Sequence, residues 1–84
     1  MPRLVVGSDR EVASAHAREL ASRNAYVDCV AVGVDAALRL CNSYDIIYID
    51  DVIAGDFHRR LGALGMKHTG AVIEYSARRI DGVL

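Results

Sequence analysis

The sequence predicts an α/β fold, a parallel sheet of about four strands with helices on both faces. Three observations carry this. Short apolar runs alternate with stretches of helical spacing, the pattern that forces parallel pairing through crossover helices. The middle run, Ile46-Ile47-Tyr48-Ile49, is apolar at every position and has no polar face. Such a run is a strand covered on both sides. An aspartate precedes it and two follow it, Asp45, Asp50 and Asp51. Ligands of these sheets sit beyond the carboxyl ends of the strands, where Asp50 and Asp51 fall.

Eighty-four residues allow one domain, 1–84, and no second core. The 52% apolar content excludes a disordered chain. Net charge is −1, with basic and acidic residues spread evenly. Nucleic-acid binding therefore has no electrostatic support. No run approaches the roughly 18 apolar residues of a membrane span, and the amino terminus lacks a signal-peptide pattern. Cys29 and Cys41 form no C-x-x-C pair and read as buried reduced thiols, which fits a cytoplasmic protein.

Leu4-Val5-Val6 is the first strand, closed by Gly7-Ser8-Asp9. Ser8 and Glu11 have capping-box spacing, opening a helix over about 10–23. Val12, His16 and Leu20 share one helix face beside a stripe of alanines at 13, 17 and 21. Asn24 suits the helix stop because asparagine tolerates the left-handed conformation. Residues 26–32 form a second strand. It belongs at an edge, since Asp28 needs water on one side. After Gly33, residues 34–41 have helical spacing, with Val34, Ala37, Leu38 and Cys41 on one face. The central strand follows. Val52-Ile53-Ala54-Gly55 reads as a loop. Phe57, Leu61 and Leu64 mark a third helix, weakened by about 1 kcal/mol at Gly62 relative to alanine. Ala71-Val72-Ile73-Glu74-Tyr75 is the fourth strand, closed by Ser76. One or two helical turns are expected from Ala77 onward.

From Leu4 to about Ala77 the chain resembles the receiver domain of bacterial response regulators. Asp45-Ile46-Ile47-Tyr48-Ile49-Asp50 matches the third-strand pattern that ends in the phosphoaccepting aspartate. Val72-Ile73-Glu74-Tyr75-Ser76-Ala77 resembles the fourth strand and its hydroxyl residue, and Val32-Gly33-Val34-Asp35 looks like the turn into the second helix. The resemblance implies a flavodoxin-like, CheY-like fold, with Asp50 as phosphoacceptor and Ser76 as switch hydroxyl. Three features depart from the family. Gly7-Ser8 stand where receivers carry an acidic pair, leaving only Asp9 nearby. The loop after Asp50 lacks the usual proline. The chain stops before a fifth strand and its lysine, so it reads as truncated.

Aspartyl phosphorylation needs a carboxylate nucleophile and a cation, usually magnesium held by carboxylates. Asp9 and Asp50 are the candidate metal ligands. Asp50 and Asp51 point to opposite faces of an extended strand unless a turn begins between them. The main expectation is a non-enzymatic, atypical receiver-like signalling module without a cofactor. It acts by protein–protein interaction, on a partner or as a homodimer, and does not depend on phosphorylation. A working magnesium-dependent phosphorelay receiver is the alternative. A small nucleotide- or phosphate-binding protein using Val6-Gly7-Ser8-Asp9 is the second. Without a fifth strand the fourth would border the sheet, which would let Glu74 reach water. Exposed edges invite pairing with another chain. Val72, Glu74 and Tyr75 are therefore the interface candidates. His16, His58 and His68 are too scattered to suggest a metal centre. Arg59-Arg60 and Arg78-Arg79 read as solvated faces, or as contacts for an acidic partner.

Overall fold

Residues 1–77 are described by the computed structural model. Four strands, β1 (Arg3–Gly7), β2 (Cys29–Val32), β3 (Ile46–Asp50) and β4 (Ala71–Tyr75), form one sheet in the order β2-β1-β3-β4. Every pair is parallel. Three helices connect them: α1 (Arg10–Ser22), α2 (Val34–Leu40) and α3 (Asp51–Ala63), with a 3₁₀ turn at Cys41–Ser43 after α2. This is the small flavodoxin-like α/β arrangement that the alternating pattern predicts. Among the described residues no helix is long and apolar enough to cross a membrane.

Strand pleating divides the apolar residues between two faces. Leu4, Val6, Ile47 and Ile49 face α2 and α3, where Val34, Ala37, Phe57 and Leu61 complete the larger core. Val5, Tyr48 and Tyr75 point the other way and pack with Ala13 and Leu20 of α1. The β3 run is thus buried on both faces, and Ile47 and Ile49 have no exposed surface.

Both long helices end in Schellman turns. At the end of α1 the Ala25 N–H donates to the Leu20 carbonyl and the Asn24 N–H to that of Ala21, with Asn24 at φ 63°. At the end of α3 Met66 donates to Leu61 and Gly65 to Gly62, with Gly65 at φ 69°. The stop expected at Asn24 is therefore formed.

The boundaries differ from the sequence reading in five places. Asp9 rather than Ser8 caps α1, its Oδ1 accepting from the Val12 N–H at 2.9 Å, so no capping box forms. The aspartate is one residue closer to the first turn, and position N3 is a valine. The second strand begins only at Cys29; the Asp28 N–H donates to the Arg3 carbonyl at 2.9 Å, but the Arg3 N–H is taken by the Asp28 side chain at 2.8 Å. The expected loop at 52–55 is the first turn of α3, and Gly55 lies on an open face of that helix. Leu64 is the C-cap residue and largely exposed instead of joining the Phe57 and Leu61 face. Cys29 is half-buried where burial was expected, whereas Cys41 is buried; both are free thiols. The turns expected after Ala77 fall on residues outside those described.

Gly7 allows α1 to approach β1. A Cβ there would lie 2.6 Å from the Ala13 nitrogen, 2.8 Å from the Asp9 carbonyl oxygen and 2.9 Å from the Ala13 Cβ. Two of these are backbone atoms, so the helix start itself must shift. Gly7→Ala is expected to destabilise the domain by about 1–3 kcal/mol, measured by urea unfolding. Wild-type stability in that variant would show that α1 has room to move.

Candidate functional site

The carboxyl ends of β1, β3 and β4 bring together Gly7-Ser8-Asp9, Asp50-Asp51 and Tyr75-Ser76. Adjacent parallel registers cause this: Val6 sits beside Ile49, and Asp50 beside Tyr75. Asp50 is the centre of the group and has no exposed surface. Its Oδ2 accepts from the Ser8 N–H at 3.1 Å, tying β3 to the turn after β1. Its Oδ1 accepts from the Val52 N–H at 3.0 Å, making Asp50 the N-cap of α3. No loop intervenes, because this cap lets the helix begin immediately after the strand.

Burial pushes the Asp50 carboxyl upward, but the opposing hydrogen bonds outweigh it. The Ser8 hydroxyl, the Val52 and Ser8 N–H groups and the Asp51 side chain together hold it below the ordinary aspartate range. The strand-to-helix turn thus brings Asp51 onto Asp50, which an extended strand would prevent. A depressed carboxyl favours the folded state once the pH is above the unfolded value of about 4. That contribution disappears as the pH falls through the folded value. Between about pH 5 and 3, wild-type protein is therefore expected to lose more thermal stability than Asp50→Asn. Circular dichroism melts measure this, and equal losses would remove Asp50 as the acid-sensitive group.

Tyr75 braces the site from below. Its hydroxyl donates to the Val6 carbonyl at 2.8 Å, reaching across β3 to β1. Its ring stacks on His16 of α1, with centroids 3.7 Å apart and planes 4° from parallel. Burial first, then the charges of Asp50 and Asp9, push the phenol well above its ordinary value. It therefore remains a hydrogen-bond donor at neutral pH. Tyr75 is consequently 8% exposed and turned inward rather than lying on an edge surface.

The other site candidates stand at the same end of the sheet. Ser76 is exposed, one residue beyond β4. Asp9 lies nearby in sequence to Ser8 but directs its carboxylate to the Val12 N–H. Among the described residues no group of three or more His, Cys, Asp or Glu side chains could hold a metal ion. Each Asp50 oxygen accepts one backbone N–H, and the Asp9 carboxylate turns to the Val12 N–H, so the structure shows no shared partner for the Asp9–Asp50 pair among the described residues. The Ser8 N–H that could bind a phosphate donates to Asp50 instead.

Elsewhere, His16 is buried in the aromatic stack, and His58 lies 3.8 Å from the exposed Glu74 carboxylate. His68 makes a 2.7 Å hydrogen bond with the Tyr44 carbonyl. Arg59 pairs with Asp56, and Arg60 links α3 to Asp35 of α2. These pairs are exposed and add little stability. Arg78-Arg79 lie outside the described residues.

Among the described residues β4 is paired on one side only, by β3. Val72 is half-buried and packs against the α2/α3 core, while Glu74 is exposed. The exposed large apolar residue of the strand is Ile73, 44% accessible, which the interface candidates omit. No family model, curated protein or solved structure matches the chain.

Proposed function

We propose that this chain is a receiver-like interaction module in which Asp50 is a structural cap and β4 is the binding edge. The observation that carries the first half is the complete burial of Asp50, with a backbone N–H on each carboxylate oxygen. A phosphoacceptor must present a carboxylate oxygen in line with the incoming phosphoryl group and beside a cation. The Asp50 carboxylate is sealed between the turn after β1 and α3, and no metal-binding cluster of three or more side chains lies among the described residues.

The second half rests on β4. Among the described residues β4 has one partner strand, and its exposed Ile73 suits pairing with another strand. A second copy is the partner proposed. Antiparallel pairing about Ile73 sets that residue against Ile73 of the partner subunit. It places Glu74 opposite Val72 of the partner subunit, so the two carboxylates do not face each other.

Sedimentation combined with intact-mass measurement tests both halves. The expected result is a concentration-dependent dimer that Ile73→Lys weakens about tenfold, or about 1.4 kcal/mol, and no phosphoryl adduct after incubation with acetyl phosphate and magnesium. A monomer at high concentration would overturn the pairing. An adduct lost in Asp50→Asn would overturn the capping role and favour a working phosphoacceptor.

A further inference from the structure

We draw no further inference here: the strongest candidate, the buried aromatic cluster that stacks His16 of α1 on Tyr75 of β4, would have to act through protonation of a single histidine, and nothing in the structure shows every charged group that faces it.

Discussion

Phe57→Ala is expected to lower the unfolding free energy by about 3–5 kcal/mol. Phe57 is fully buried and belongs to the cluster formed by Leu4, Val6, Ile47, Ile49, Val34, Ala37 and Leu61. It therefore joins α3 to both central strands and to α2. Truncation removes the apolar contact and leaves a cavity that the surrounding strands cannot fill without breaking their ladders. A domain of this length has a total stability of about 4–13 kcal/mol, so the truncation removes a large share of it. Phe57→Leu preserves most of the volume and should lose less than about 1.5 kcal/mol. Chemical unfolding followed by circular dichroism separates the two. Equal stability of both variants would show that Phe57 does not hold the α3 face together.

Asp50→Ala is expected to cost about 3 kcal/mol. Removing the carboxylate leaves the Ser8 and Val52 N–H groups without their acceptor, at about 1–3 kcal/mol for each buried donor, and deletes the cap of α3. Loss of a buried charge relieves some desolvation, so the total stays below the sum of these effects. Asp50→Asn should fall between alanine and wild type. Its amide can accept from one N–H but must turn an NH₂ group toward the other. A carboxylate facing water as a phosphoacceptor would tolerate the same isosteric change with little loss. Equilibrium unfolding tests this: wild-type stability in Asp50→Ala would rule out the cap.

Several elements were legible because local chemistry and tertiary packing agree. The β3 run has no polar residue between Asp45 and Asp50, so only a doubly covered strand accommodates it. Asn24 ends α1 as its tolerance of positive φ suggests. The first turn of α3 was not legible, because Gly55 beside three apolar residues has the composition of a loop. Its helicity depends on Asp50 turning its side chain onto Val52, a contact set by the strand-to-helix angle. The cap of α1 was ambiguous for a similar reason. Ser8 and Asp9 are both good cap residues, and Asp50 takes the Ser8 N–H while Asp9 is left to cap.

By itself the sequence determined the layer order of this protein: which runs are strands, which stretches are helices, and that a carboxylate lies at the end of the central strand. These follow from periodicity and burial, properties that each segment carries locally. Tertiary structure alone decided what that carboxylate does and which β4 residue meets solvent. Asp50 is sealed by Val52 at the start of α3 and by Ser8 in the turn after β1, a donor far away in sequence. Tyr75 is drawn inward by Val6 and His16, while Ile73 on the same face stays exposed. Those outcomes depend on neighbours assembled only when the strands align, so no local pattern encodes them.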